Sequence, residues 1–572
     1  MRTNLYIVLL IAVFVGGCKK TDDFLTRYPL DQMTDENYWT TENNVRTFAW
    51  GFYTNYFPGY ASGNDQSWGG YFYGEKLTDE FAPNAPAQFT RNVPSTAASD
   101  WTFKWVRTAN LFIDRIQKVP MSDEAIKHWT GVGRFFRALE FASKVKTYGD
   151  FPWYSTVLDE TDEEALYKPR DPRTLVMDSV LVDFKYASSN VRELDGPAET
   201  KRLVVNKWVV LAFMSRVFLF EGTWQKYQAG NTAKANEYLE AAKWAANEVI
   251  TKGGFAVAPD YRKLFNSLDL TSNNEIILFR RYESGVGGVT HSLASNVNKL
   301  PQLAGASKNA IEAYLCKDGL PIALSPGYKG DKTIANTMAD RDPRMYGTFV
   351  NVLRLEGIES YHTSSGYAVH KFLNEEIKET NEGVSASNPT DAPVIRLGEV
   401  MLNYAEAAAE LGTLTPGDLD MTINKLRTRP GIDIKPLQIK GGLPAVSGNV
   451  YDDPNRDPTV PSLLWEIRRE RRIELMMEGF RGSDLRRWKK YEYIDTKAKP
   501  DINRGAWIKK SDFPKAKVTI EGNAPEGYII PAFKPESQRS FNDPKVYLTP
   551  IPEDQIKIYN DHGVKLIQNP GW

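Results

Sequence analysis

N-K-W-V-V-L-A-F-M-S-R-V-F-L-F-E-G-T-W-Q-K-Y-Q-A-G-N-T-A-K-A-N-E-Y-L-E-A-A-K-W-A-A-N-E-V-I-T-K-G-G, residues 206–254, sets the architecture of the chain. Two segments with helical periodicity, 206–221 and 233–252, flank a polar link, and the second ends at Gly253-Gly254, a left-handed stop signal. Trp208, Leu211, Ala212 and Arg216 recur at helical spacing in the first, and Leu239, Ala242, Ala245 and Val249 in the second. Large and small side chains alternate. Small ones let two antiparallel helices approach closely, so the stretch reads as a helical hairpin. The spacing is looser than a strict tetratricopeptide repeat.

The same texture extends outward. Upstream, helical pattern covers 37–57, 103–117, 123–148 and 172–190. Trp105, Ala109, Phe112, Ile113 and Ile116 share one face of the second segment, and Gly149 with Pro152 stops the third. From 256 to 392 glycines, prolines and short apolar runs take over, and the runs 275–279 and 346–352 read as strands. Helices resume over 394–411, 418–427 and 463–478, 491–550 is irregular and Pro-rich, and 546–558 leads into a short helix. The prediction is a mainly α chain. A helical-hairpin scaffold over 37–258 carries an irregular, loop-rich half over 259–572, and 37–572 forms one globular unit.

The amino terminus says where the chain works. Residues 5–15 are almost unbroken apolar residues, too few to span a bilayer and laid out as a secretory signal. V-G-G-C, 15–18, resembles a bacterial lipobox, which makes 1–17 a signal peptide and Cys18 a lipidated (palmitate-bearing) new terminus. Residues 18–36 are polar and aperiodic, as in a flexible tether. No later apolar run approaches the roughly 20 residues of a membrane-spanning helix. Beyond Cys18 only Cys316 remains, so an internal disulfide is impossible and a large apolar core must stabilise the chain. The net charge of −1 gives no field that would draw nucleic acid.

W-E-I-R-R-E-R-R-I-E-L-M-M-E-G-F-R-G, 465–482, places Glu466, Glu470, Glu474 and Glu478 on one stripe interleaved with arginines. A metal-binding bundle would need Glu-x-x-His partners, and none of the five histidines sits in such a pattern. The reading is a helix laced by Glu–Arg pairs, with bidentate contacts able to fix it against its neighbours. The chain has no Gly-x-Ser-x-Gly elbow, no His-Glu-x-x-His, no phosphate-binding loop and no Cys/His zinc cluster. Asp340-Arg341-Asp342-Pro343-Arg344 reads as a hydrogen-bonded turn. No cofactor is expected, and a structural calcium held by scattered Asp residues and carbonyls stays open.

Ordered pieces along 18–572 resemble one family, the SusD/RagB-like surface lipoproteins of Bacteroidetes-type bacteria. They include F-L-T-R-Y-P (24–29), A-N-L-F-I-D-R-I (109–116), Y-G-D-F-P (148–152), D-R-D-P-R-M (340–345) and P-V-I-R-L-G-E-V-M-L-N-Y-A-E-A (393–407). R-R-E-R-R-I-E-L-M-M-E-G-F-R (468–481), L-T-P-I-P (548–552) and N-P-G-W (569–572) complete them. The resemblance implies about four tetratricopeptide-like helix pairs with a less regular half packed on them, and no catalysis. It implies a lid on a SusC-like, TonB-dependent outer-membrane barrel, to which it hands oligosaccharides or polysaccharides. Location at the outer membrane, anchored by lipid and facing the cell surface, follows. Lys19 to Asp23 resembles the charged surface-export signal of such lipoproteins.

A sugar ring offers apolar C–H faces and a polar rim, so aromatic side chains bind the faces while Asn, Asp and Arg reach the hydroxyls. N-D-Q-S-W-G-G-Y-F-Y, 64–73, has that chemistry. Trp68, Tyr71 and Tyr73 are the candidate platforms, and Asn64, Asp65 and Asp79 the candidate hydroxyl partners. Trp101 follows, and Arg281, Tyr282 and Tyr361 are the candidates from the second half. A peptide-binding lid of the same architecture is the competing reading, with fewer aromatic platforms and more backbone donors and acceptors. A surface glycoside hydrolase, which needs two facing carboxylates, is the third.

Overall fold

The computed structural model describes residues 35–60, 77–96, 100–285, 287–299 and 304–572. Six helices build the first half: α1 (Glu42–Tyr56), α2 (Lys104–Arg115), α3 (Asp123–Tyr148), α4 (Arg173–Asn190), α5 (Lys207–Trp224) and α6 (Thr232–Lys252). From α2 onward each packs on the next, and α1 lies on α3. Their ends carry local chemistry. Ser122 accepts the Ala125 N–H at the start of α3, and Gly149, at φ 79°, ends it. Asn206 accepts the N–H groups of Trp208 and Val209 at the start of α5.

The α5–α6 hairpin is as close as its small residues predict. A β-carbon on Gly222 would stand 2.6 Å from Leu239 Cγ, so only glycine fits. Ala242, Ala245 and Val249 of α6 are fully buried in the principal core. The helix α5 runs three residues past the expected 221, to Trp224, and a π-helical turn, Gln225–Ala229, leads to Gly230 and on to Asn231, whose side chain caps α6.

The second half returns to this scaffold through α7 (Leu397–Glu410), packed on α6, and α8 (Ser462–Glu474), packed on α7. A short α9 (Arg481–Arg487) reaches α5. Short strands fasten the loops of this half, among them β2 (Ile276–Arg280), β3 (Ala304–Ala306) and β4 (Ala392–Arg396), with β1 (Phe81–Pro83) reaching in from the first half. The pairs β1–β3 and β2–β4 are antiparallel, with Phe81 opposite Ala306 and Ile276 opposite Arg396.

Three expectations are corrected. Residues 346–352 are not a strand: Asp342 caps and Pro343 opens a helix, Pro343–Thr348, and Phe349 makes only an isolated bridge to Val369. The helix expected over 394–411 begins at Leu397, because 392–396 is taken by β4. The helix expected over 463–478 stops at Glu474, and Met477 adopts φ 65°, turning the chain toward α9.

The Glu stripe of α8 does not lace its own helix. Glu466 pairs within α8, with Arg469, while Glu470 and Glu474 are fully buried and pair with arginines from elsewhere. Glu474 meets Arg344 at 2.9 Å, Arg396 at 2.8 Å and Arg429 at 3.0 Å, and Glu470 meets Arg344 at 2.7 Å and Arg427 at 2.8 Å. Glu275, at the foot of β2, joins through Arg396 and Arg429. Burial alone would raise the pKa of Glu470 and Glu474, but the guanidiniums outweigh it and hold both below the usual range. So many buried charges persist only because each is matched. The network locks α8 against β2, β4 and the Asp342 turn.

Candidate ligand-binding cleft

With its glutamates turned inward, α8 presents Trp465, Arg468, Arg469 and Arg472 at i, i+3, i+4 and i+7 along its other stripe. They line an open cleft of about 850 Å³. Arg481 and Trp488, from α9 and its end, form another wall, and the 453–459 and 490–493 loops close the sides. Trp465 is half-buried and meets Tyr493 edge to face, ring centroids 6.5 Å apart. Its indole N–H has no hydrogen-bond partner among the described residues. Lys499, exposed at the mouth, lies 4.6 Å from the Tyr493 ring centre.

The polar groups of the cleft are held in place by one another. Asp457 accepts from the Tyr493 hydroxyl and pairs with Lys490 at 2.8 Å. Burial pushes its pKa up, but the hydrogen bonds from Lys490 and Tyr493 outweigh that and hold the carboxyl far below its ordinary range. Arg468 donates to Glu410 at 2.9 Å and lies over the Trp488 ring at 4.4 Å. Arg472 donates to Asn309 at 2.9 Å. Aromatic faces beside fixed donors and acceptors are what a polyhydroxylated ligand requires.

Asp79 borders this cleft, yet it is not the free hydroxyl partner expected. It is buried, and Arg481 takes both its carboxylate oxygens at 2.7 Å. Burial raises its pKa, and Arg472 with Arg481 overcomes that to hold it well below the carboxylate range. Trp101 is likewise corrected: it is 4% exposed, and Tyr148 and Phe151 enclose it at 4.9 and 5.0 Å, so it offers no face to a ligand. Tyr282 is buried, donates to the Pro58 carbonyl at 3.1 Å and packs edge-on to His291. Arg281 is exposed and donates to Thr271, and Tyr361 is half-buried beneath the Arg354 guanidinium, 4.4 Å from its ring centre. None of these three lines the cleft. Asn64, Asp65, Trp68, Tyr71, Tyr73 and Cys18 lie outside the described residues.

Asp79 and Tyr282 nevertheless belong to one arrangement. Tyr60 stacks with Tyr282 and donates to the Phe265 carbonyl at 2.9 Å, and Asp79 is clamped by Arg481. Tyr60 and Asp79 are thus both fastened to the second half. Sequence reading missed Trp465, Tyr493 and Lys499. The available signal was the i, i+3, i+4, i+7 stripe starting at Trp465, masked by the denser Glu–Arg pattern of the same helix.

Residues 349–572 match the model of the SusD family. Over these residues the chain is similar to the SusD family. SusD-like protein P38 of Formosa agariphila is 22% identical over 507 residues, covering 85% of this chain and 92% of that protein. Among solved structures, a SusD-like carbohydrate-binding protein from Bacteroides fragilis superposes with a TM-score of 0.68 at 23% identity, covering 91% of this chain and 99% of that one. A laminarin-binding SusD-like protein superposes with a TM-score of 0.54 at 17% identity, covering 93% of this chain and all of the other. These superpositions show the mainly α SusD-like fold. Among the described residues no helix is long and apolar enough to cross a membrane, and no group of His, Cys, Asp or Glu converges as a metal site.

Proposed function

We propose that this SusD-like protein captures oligosaccharides or polysaccharides at the cell surface and delivers them uncleaved to a TonB-dependent outer-membrane barrel. Cys18 is the acyl anchor in this reading. The observation that carries it is the cleft along α8, in which Trp465 and Tyr493 stand among fixed donors and acceptors in a chain similar to the SusD family over 349–572. In this reading the 64–73 segment supplies Trp68, Tyr71 and Tyr73 as further stacking platforms and Asn64 and Asp65 as hydroxyl partners.

A glycosidase acid needs a raised pKa, and Asp79 and Asp457 at the cleft are both driven down by their cationic partners, so neither is suited to that role. The test is a screen of the purified chain against a glycan panel and a peptide pool, with product analysis. Binding of a glycan whose chain length stays unchanged supports the proposal. Binding confined to peptides, or turnover that disappears when a cleft carboxylate is neutralised, overturns it. Co-elution with a much larger outer-membrane protein from mildly solubilised membranes tests the partner, and consistent recovery as a free monomer counts against it.

A further inference from the structure

A groove of about 410 Å³ runs between α3, α5 and the residues that lead into α9, and it shares no lining residue with the α8 cleft. Its walls are mainly apolar, with Ala142 from α3, Val217 and Phe220 from α5, and Phe480 just before α9. Phe220 and Phe480 are both half-buried. An open, apolar hollow of this size is on the scale of small-molecule sites. One cation stands in the wall. Lys146 Nζ lies 2.6 Å from Ser483 Oγ and 5.0 Å from the Phe220 ring centre, and Lys146, Ser483 and Phe220 all line the groove. Ser483 takes one ammonium proton, which leaves two donors.

The carboxylates that line the groove are all committed to other cations. Arg216 takes both oxygens of Glu399 at 2.6 Å, and Arg173 takes those of Glu221 at 2.8 and 2.6 Å. Glu478 is held by Arg396 at 2.7 Å and Lys371 at 2.9 Å. Asp484, near Lys146, gives one oxygen to Arg471 at 2.9 Å and the other to Arg487 at 3.0 Å. Lys146 is therefore left without a carboxylate partner among the described residues. Arg486, close by, holds only the carbonyls of Tyr547 and Thr147, at 2.7 and 3.4 Å, and adds to the positive potential. Burial, with Arg486 behind it, lowers the Lys146 pKa to about 8, so the ammonium stays charged at neutral pH.

We infer that this groove binds a small amphipathic monocarboxylate, whose carboxylate accepts from Lys146 Nζ while its ring or short alkyl chain lies against Phe220 and Phe480. Charge complementarity selects the head group: one unmatched ammonium at the end of an apolar wall fits one carboxylate. The walls select the body, since they offer aromatic and aliphatic faces and few free donors for a rim of hydroxyls. A charge-assisted hydrogen bond at a half-buried ammonium is stronger than a neutral one, so the acid gains over its uncharged analogue. The site stands apart from the α8 cleft and does not depend on glycan capture.

The test is ligand-observed saturation-transfer NMR titration of the full chain with phenylacetate and hexanoate, each beside its uncharged analogue, phenethyl alcohol and hexanol. Wild type is compared with Lys146→Met, Lys146→Arg and Phe220→Ala. Wild type binds at least one acid about tenfold more tightly than its alcohol. Lys146→Met brings that acid down to the affinity of the alcohol, Lys146→Arg retains the preference, and Phe220→Ala weakens acid and alcohol alike. Equal binding of acid and alcohol by wild type overturns the proposal, as does failure of both acids to bind. So does an acid affinity unchanged in Lys146→Met or in Phe220→Ala, which would place the binding elsewhere. The comparison of acid with alcohol uses wild type alone, so it decides the matter even where a variant fails to fold.

Discussion

Arg481 grips Asp79 with two hydrogen bonds of 2.7 Å, across 402 positions of sequence. The pair fastens Asp79 to the start of α9, which itself packs on α5. One ion pair therefore links the stretch leading into β1 to the second half and, through α9, to the helical scaffold.

Asp79→Ala leaves Arg481 buried without its carboxylate and is expected to cost about 3–5 kcal/mol of unfolding free energy. Denaturant unfolding followed by circular dichroism measures it. A cost within about 0.5 kcal/mol of zero, the usual scale of surface substitutions, would mean that the clamp is incidental.

Gly222→Ala drives a β-carbon to 2.6 Å from Leu239 Cγ at the tightest point of the α5–α6 hairpin. The expected penalty is about 1–3 kcal/mol, although alanine is the better helix former. A stabilised variant in the same unfolding assay would show that the hairpin relaxes freely.

His128 and His291 each accept a backbone N–H at Nδ1, from Arg192 and Leu293, both at 3.1 Å. Burial lowers their pKa values to about 4 and about 3. The folded state favours the neutral rings, so their stability contribution is full above the unfolded value near 6.5 and is lost as pH falls toward 4. Unfolding free energy should drop by several kcal/mol between pH 7 and pH 4, and His128→Asn, which keeps an acceptor in place, should flatten part of that slope. An identical slope in the variant would mean that His128 contributes nothing to it.

Trp68→Ala should weaken glycan binding by about 1–3 kcal/mol, the scale of stacking on an aromatic face, and leave the melting temperature unchanged. Unchanged affinity in a calorimetric titration, or lost binding with a large drop in melting temperature, would make Trp68 a packing residue.

How much of the fold and the cleft is legible in the sequence depends on the range of the interactions. The hairpin of residues 206–254 is readable because small side chains and helical period are local signals. The helix at Pro343 escapes although Asp342-Pro343 is a capping signal, since the apolar run behind it reads equally well as a strand. The partners of Glu470 and Glu474 are out of reach, because Arg344 arrives from the helix at Pro343, Arg396 from the end of β4, and Arg427 and Arg429 from a third segment, and no spacing within α8 announces them. The chemistry of the 64–73 segment is legible, but Trp101 and Tyr282 show why aromatic content alone does not identify a platform: the same rings fill the core. Trp465 needs the structure, since only the inward turn of the glutamates reveals that the opposite stripe faces a cleft.

If the α8 cleft captures a glycan at Trp465 and releases it intact, both halves of that statement can be read in one experiment. Wild type and Trp465→Ala are titrated calorimetrically with the best-binding saccharide, and the saccharide is then sized. The predicted result is an affinity lowered roughly tenfold to a hundredfold, an unchanged melting temperature and a saccharide of unaltered length. Equal affinity in the two proteins, or a shortened saccharide, would contradict it.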